Sequence, residues 1–171
     1  MTIEYSGLPG ASFETEPPTD QAERMPAALP VLGAMIGGER WLISLRDLGE
    51  VLPVPRIVAV YWTQPWFRGI IRVRSGFYAL CDLAQYMGGN ASLVGAKTRV
   101  LLMAPHSGVN CAILADSMLG FRNLSEFACQ SDHHDTRSFV SGVYDDRQGR
   151  TWHMLNPSIL LQLESFLQIA K

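Results

Sequence analysis

The chain has 171 residues, 47% of them apolar, with 14 basic and 16 acidic side chains for a formal net charge of −2. That length fits one domain with a proper core, and a charged fraction of 18%, against an average of about 25%, leaves weakly charged surface of the kind that serves as an interface. The near-neutral balance without a run of Lys or Arg argues against a general nucleic-acid binder or a membrane-surface protein, and no stretch approaches the ~18 apolar residues that a bilayer span needs.

Residues 1–27 are rich in Gly, Pro, Ser, Thr and Glu, with Pro17-Pro18 and Pro26 interrupting any regular element, and read as a mobile leader. The opening Met1-Thr2-Ile3-Glu4-Tyr5 lacks the basic head and apolar stretch of a secretory signal. One domain is expected over 28–171. Val31–Ile36 and Trp41–Leu45 read as strands joined at Gly37-Gly38, a hairpin signal. Asp47–Leu52 reads as one helical turn, ended by Pro53 and Pro55. Arg56–Tyr61 reads as a strand, and Ile70–Arg74 with Phe77–Cys81 as a pair joined through Ser75-Gly76. Asp82 is placed to cap a brief helix, Leu83–Met87, stopped by Gly88-Gly89.

The second half repeats this grammar. Thr98–Ala104 and Val109–Leu114 flank a turn over Pro105–Gly108, and Ser117–Arg122 reads as a further strand. Asn123–Arg137 is polar and reads mostly as loop, and Phe139–Tyr144 pairs with Thr151–Leu155. Asn156 is a good N-cap with Pro157 at the first helical position. Ile159, Leu160, Leu163, Phe166, Leu167 and Ile169 then supply an apolar stripe at helical spacing. Many short strands, regular turn signals and one terminal helix predict a mainly β protein built as a barrel or a pair of barrels. No sequence repeat is clear enough to assert a duplication.

Chemistry is sparse. The three cysteines, Cys81, Cys111 and Cys129, are odd in number and widely spaced, so neither a disulfide framework nor a zinc ribbon is suggested, and a reducing cytoplasm is the simplest home. Cys129, Asp132, His133, His134 and Asp135 hold ligand types suited to zinc or copper. A metal- or ligand-binding β-barrel using this cluster is the alternative reading, against a plain solvated loop. His106 reads as a surface residue on a turn, and His153 as a packed or edge-strand residue. There is no Gly-rich phosphate loop with its Lys and no Gly-x-Ser-x-Gly elbow. Asp82 and Asp116 each follow a strand-like run and read as structural turn caps. The chain is not expected to be an enzyme, and no cofactor is expected.

One stretch is specific. Leu45-Arg46-Asp47-Leu48-Gly49-Glu50-Val51-Leu52 precedes Arg56–Tyr61, and then comes Trp66-Phe67-Arg68-Gly69-Ile70-Ile71-Arg72-Val73-Arg74-Ser75-Gly76-Phe77-Tyr78-Ala79-Leu80-Cys81-Asp82-Leu83. Together these resemble the hallmark region of CheW-like chemotaxis coupling proteins. Ala112-Ile113-Leu114-Ala115-Asp116-Ser117-Met118-Leu119-Gly120 resembles the family's later Gly-Leu-x-Val-Asp-x-Val-Leu-Gly segment, and Phe139-Val140-Ser141-Gly142-Val143 the segment before its last hairpin. The order and spacing match from about Leu29 to Leu161. Pro55-Arg56, Asn156-Pro157-Ser158-Ile159-Leu160 and the leader resemble PilI-like adaptors of the type IV pilus chemosensory pathway. The family's Asn-Leu-Arg-Gly core reads here as Arg72-Val73-Arg74-Ser75, so the Arg survives while the Asn and Gly do not.

The resemblance implies two small five-stranded, Src-homology-3-like β-barrels sharing an apolar core, with a C-terminal helix. It implies a non-catalytic cytoplasmic adaptor for chemotaxis signal transduction, here in type IV pilus twitching motility. Its partners would be the cytoplasmic tip of a methyl-accepting chemoreceptor and the regulatory domain of a CheA-type histidine kinase, with no nucleic acid and no direct membrane insertion. Carried over by position, Arg68, Gly69 and Arg74 match receptor-contacting residues, and Leu48 and Glu50 match positions of kinase or receptor contact. Strand edges and apolar patches suit barrel-to-barrel association, while a few charges set register.

The leader offers too few apolar groups to offset the entropy of ordering it, about 1–2 kcal/mol per residue. Deleting residues 1–27 is therefore expected to leave the midpoint and cooperativity of urea unfolding nearly unchanged. A large drop in midpoint would mean that the leader docks on the barrel.

Overall fold

The computed structural model describes residues 29–132 and 135–171. The expected leader over 1–27 and the histidines His133 and His134 lie outside the described residues. The chain runs through β1 (Pro30–Ile36), β2 (Glu39–Ser44), β3 (Leu48–Pro53), β4 (Ile57–Val58), β5 (Phe67–Val73) and β6 (Gly76–Cys81), then α1 (Leu83–Tyr86). It continues through β7 (Arg99–Met103), β8 (Cys111–Ala115), β9 (Ser117–Asn123), β10 (Ala128–Cys129), β11 (Val140–Asp145) and β12 (Thr151–Leu155), and ends in α2 (Pro157–Leu160) and α3 (Glu164–Leu167).

The strands form two six-stranded sheets, ordered β10-β11-β12-β2-β1-β9 and β3-β7-β8-β6-β5-β4. In each, the two edge strands follow one another in sequence across a connection of a few residues, as in a sheet that curls round to meet itself. We refer to these as the first and second barrel. Each has five strands of five to seven residues and one of two, β10 or β4. The five strands that the resemblance implies are thus present, with a short sixth closing each seam.

The central strands show why the sequence runs apolar without alternation. Side chains alternate across a strand, and all five residues of β8 are buried. Ala112 and Leu114 face the interior of the second barrel with Ile71, Leu80, Val100 and Leu102. Cys111, Ile113 and Ala115 face the other way, into a core shared with Leu32, Ala34, Ile36, Trp41 and Ile43 of the first barrel. β1 and β2 do the same in reverse, sending Val31 and Leu42 inward to Trp152 and Met154. The interface between the barrels is therefore the largest part of the core.

Three expectations are corrected. Asp47–Leu52 is not a helical turn: β3 pairs with β7 there, with a register shift between Leu48 and Glu50 that hides the strand alternation. Arg56–Tyr61 contributes only the two residues of β4. The terminal apolar stripe is not one helix. Asn156 Oδ1 does accept from the Ile159 N–H at 3.1 Å, but Leu163 turns extended and separates α2 from α3. Within the polar stretch Asn123–Arg137, β10 and a capping box of Asn123 with Glu126 add order that its composition conceals.

Gly69 sits in a bulge of β5 with φ +128°, and a Cβ built there would lie 2.3 Å from the Val58 carbonyl oxygen. Both facts require glycine. Gly69→Ala is expected to lower unfolding stability by about 2 kcal/mol or more. Gly95→Ala, where φ is ordinary and nothing lies within 4 Å, serves as the control in the same denaturant titration. Equal stability of the two variants would show that β4 simply shifts away.

Candidate functional site

The β5–β6 hairpin turns through Arg74 and Ser75, and Arg74 takes φ +54°, a left-handed conformation uncommon outside glycine. Its side chain stands 80% exposed, and its Nη2 donates to Glu50, 3.2 Å from Oε2 and 3.4 Å from Oε1. Glu50 lies on the edge strand β3, so this ion pair reaches from the tip of one hairpin to the opposite edge of the same barrel. Leu48, on the same strand, is half-buried against the shared core. Three of the sequence-derived positions, Arg74, Glu50 and Leu48, are thus gathered at this end of the second barrel.

Arg68 and Gly69 are placed differently. Gly69 is buried beneath β4. Arg68 turns inward: its Nη1 donates to Asp82 Oδ2 and to the Ser92 carbonyl, both at 3.2 Å. Asp82 is fully buried and accepts from the Gln85 N–H at the start of α1, from the Ser92 N–H at 2.7 Å and from Ser92 Oγ at 2.9 Å. One carboxylate thereby caps a helix, anchors the 88–97 loop and fixes Arg68. Asp116 Oδ2 accepts the Gly37 N–H at 2.8 Å, tying the β8–β9 corner to the β1–β2 turn. Both aspartates serve backbone groups that would otherwise lack partners.

A second charged cluster centres on Arg137 and Glu39, which the sequence reading does not single out. Arg137 donates through Nε and Nη2 to the two oxygens of Asp135, at 2.9 and 2.6 Å, and through Nη1 to Glu39 at 2.6 Å. Nη1 also meets Met87 Sδ at 2.9 Å and Nη2 meets His153 Nδ1 at 3.2 Å, while the guanidinium lies 4.9 Å over the Trp41 ring. The cluster walls an open cleft of about 1040 Å³ that also includes Gly37, Met87 and Asp116. The signal was a lone Arg in a polar stretch, and its partner Glu39 is 98 residues away.

Asp135 is thus committed to Arg137 and His153, and among the described residues no group of three His, Cys, Asp or Glu is assembled to hold a metal. Cys129 is exposed on β10, opposite Tyr144, whose phenol is pushed up by burial and then by the nearby thiol. His106 meets Asp47 at 3.3 Å. Cys81 and Cys111 are buried in the shared core, and their mutual contact pushes the Cys81 thiol up, with burial adding to it.

The hydrogen bond from Arg137 holds the Asp135 carboxyl down at about 2, against the opposing effect of burial. A lowered carboxylate favours the folded state above the ordinary carboxylate value of about 3.9 and loses that contribution as pH falls through the folded value. Asp135→Asn is accordingly expected to be less stable than the parent at pH 7 and pH 5. The gap should narrow steadily below pH 4, as read by urea titration at each pH. A gap that is constant from pH 7 to pH 3 would show that the carboxylate charge is not what Arg137 holds.

Comparison with known proteins places this geometry. Residues 30–165 match the CheW-like domain family. The chain is 26% identical over 143 residues to Protein PilI of Pseudomonas aeruginosa, covering 81% of this chain and 79% of that protein. Its fold is similar to that of the scaffolding protein TtCheW from Thermoanaerobacter tengcongensis. The TM-score is 0.67 at 15% identity, over 81% of this chain and 95% of that one.

Proposed function

The chain belongs to the CheW-like domain family, and on that premise we propose that it couples a methyl-accepting chemoreceptor to a CheA-type histidine kinase in the chemosensory system of type IV pili. Family membership supports the class, a scaffold that works by recognition and not by catalysis. The likeness to PilI supports the pilus assignment. The observation that carries the receptor side is Arg74: a guanidinium held on a hairpin tip, four-fifths exposed, with its backbone set and its orientation fixed by Glu50.

The chemistry suits a helical hairpin tip. A planar fork of five donors can take a carboxylate and adjacent carbonyl oxygens together, which a lysine cannot reproduce. Glu50 pre-orients that fork while leaving donors free, so less side-chain entropy is lost on docking. Leu48 and the strand edge beside it supply apolar contact. Arg68 and Gly69 lie at the other end of the hairpin from Arg74, where Arg68 holds Asp82 and Gly69 lets β4 approach β5. The kinase's regulatory domain is then expected on a surface that Arg74 does not reach. No helix among the described residues is long and apolar enough to cross a membrane.

Arg74→Ala is expected to fold normally, since an exposed pair contributes about 0–1 kcal/mol. Losing a charge paired in a buried contact costs about 2–5 kcal/mol of binding. The variant should therefore keep its affinity for the kinase regulatory domain and lose most of its affinity for a chemoreceptor cytoplasmic fragment. Parallel calorimetric titrations of parent and variant at matched salt check this. Equal losses to both partners, or none to the receptor, would remove Arg74 from the receptor face.

A further inference from the structure

The outer face of the second barrel is only partly covered by the first. Directly opposed residues of neighbouring strands point to the same side of a sheet. The register sets Val58 opposite Ile70, Ile70 opposite Ala79 and Ala79 opposite Cys111, in one row across β4, β5, β6 and β8. Cys111 is buried in the shared core and Ala79 packs against it, while Ile70 is 37% and Val58 58% exposed. One step nearer the β5–β6 turn, Arg72 lies opposite Phe77, which is 63% exposed. Ile71 and Leu80, which point the other way, are fully buried inside the barrel. A face that packs the first barrel at one end thus continues, uncovered, as Ile70, Val58 and Phe77. Single apolar side chains on a surface need no explanation, but a contiguous cross-strand group marks a contact surface.

Arg72 ties this patch to Arg74. Its Nε donates to the Arg74 carbonyl at 3.2 Å, which holds the guanidinium at the base of the turn that carries Arg74. Among the described residues Arg72 enters no ion pair, whereas Arg74 pairs with Glu50. Arg72 also stands where the family pattern has Asn, so this second guanidinium is particular to this chain.

Charge and spacing identify the occupant. Residues 48–115 carry Arg56, Arg68, Arg72, Arg74, Lys97 and Arg99 against Glu50 and Asp82, a net of +4. Two such faces repel, which disfavours a second copy of this barrel and favours an acidic partner. With strands about 4.8 Å apart, Val58, Ile70 and Ala79 span about 10 Å. That is the distance from residue i to i+7 of a helix rising about 1.5 Å per residue. A helix lying across the strands sets an i, i+4, i+7 apolar stripe against this row, and carboxylates beside the stripe meet Arg72 and Arg74.

We propose that Ile70, Val58 and Phe77, with Arg72 at their edge, extend the receptor site from Arg74 across the outer face of β4, β5 and β6. The segment that docks there is an acidic amphipathic helix of the chemoreceptor's cytoplasmic tip. The identity of the partner rests on the receptor role of Arg74 proposed above. Phe77 supplies apolar contact, and Arg72 selects receptors that carry two carboxylates where Arg74 alone needs one.

Full-length parent, Arg72→Asn, Phe77→Thr and Arg74→Ala are titrated with a chemoreceptor cytoplasmic fragment and, separately, with the kinase regulatory domain. Their urea midpoints are also compared; both new positions are exposed, so the midpoints should stay near the parent's. Arg72→Asn and Phe77→Thr should each weaken the receptor fragment about fivefold to tenfold, as for residues that carry part of an interface. Affinity for the kinase domain should be unchanged. Added salt should shrink the Arg72 effect and leave the Phe77 effect in place. Receptor binding lost in Arg74→Ala but intact in the other two variants overturns the extension and keeps the role of Arg74. Loss in the Arg72 and Phe77 variants without loss in Arg74→Ala supports the patch and removes only Arg74. No loss in any variant overturns both. Losses to the kinase domain in place of the receptor assign the patch to the kinase and overturn the proposal. A concentration-dependent dimer that Phe77→Thr disperses, with receptor binding unchanged, assigns the patch to a second copy and also overturns it.

Discussion

The structure depends on one constraint: the central strands of both sheets bury both of their faces. In β8 every residue is buried, and in β7 Val100 and Leu102 face the barrel while Leu101 and Met103 face the neighbouring sheet. A single small barrel has only a thin interior, and the six buried residues inside the second barrel would make a meagre core by themselves. At about 1.5–3 kcal/mol for each large apolar side chain, the larger share of burial lies between the barrels. The two halves therefore stand or fall together, and the exposed rims, Arg74 and Glu50 among them, inherit their geometry from that shared layer.

Much of this was legible because local chemistry and tertiary context agree. Gly37-Gly38 marks the β1–β2 turn, Asp82 caps α1, and Asn156 with Pro157 opens α2, each through a bond that needs only neighbouring residues. The failures share a cause. β3 is hidden in the sequence because the bulge after Leu48 puts Glu50 out of step, and the C-terminal stripe keeps its helical spacing across Leu163 although the backbone there is extended. At the candidate site, the residue types were readable but not their company. Arg68 beside Gly69 looks like a surface pair until Asp82 is seen to take the guanidinium. Arg137 has one partner close in sequence, Asp135, but the others come from β2, β12 and the end of α1, which no local pattern brings together.

The sheets also share a layout that the sequence does not announce. In each, a two-residue edge strand pairs with a long hairpin, whose second strand runs parallel to a strand of another hairpin. β5–β6 corresponds to β11–β12, and both bear a register shift that ends at a glycine, Gly69 or Gly142. Asp82 follows β6 and donates its N–H to the Trp66 carbonyl at 2.8 Å; Asn156 follows β12 and donates to the Phe139 carbonyl at the same distance. Each then caps a four-residue helix. What repeats is a handful of positions that govern bulges and caps, while the residues between them answer to different neighbours. The two halves differ at the rims: β5 and β6 turn through Arg74 and Ser75, with Arg74 at φ +54°, whereas β11 and β12 are joined across residues 146–150.

That layout is threaded unevenly, and the threading dictates an order of events as the chain is made. The second barrel is continuous from β3 to β8, so all of its strands have emerged once residue 115 has left the ribosome. The first is split: β1 pairs with β9, 82 to 93 residues on, and β2 with β12, 112 residues on, so its opening hairpin waits for strands that emerge much later. Synthesis at about 5–20 residues per second leaves that hairpin without its own sheet for several seconds. During that interval the native partners already made for Leu32, Ala34, Ile36, Trp41 and Ile43 are those of the second barrel's outer face, where Cys111 and Ile113 lie. Most residues of the boundary between the barrels are therefore made before the strands that complete the first barrel.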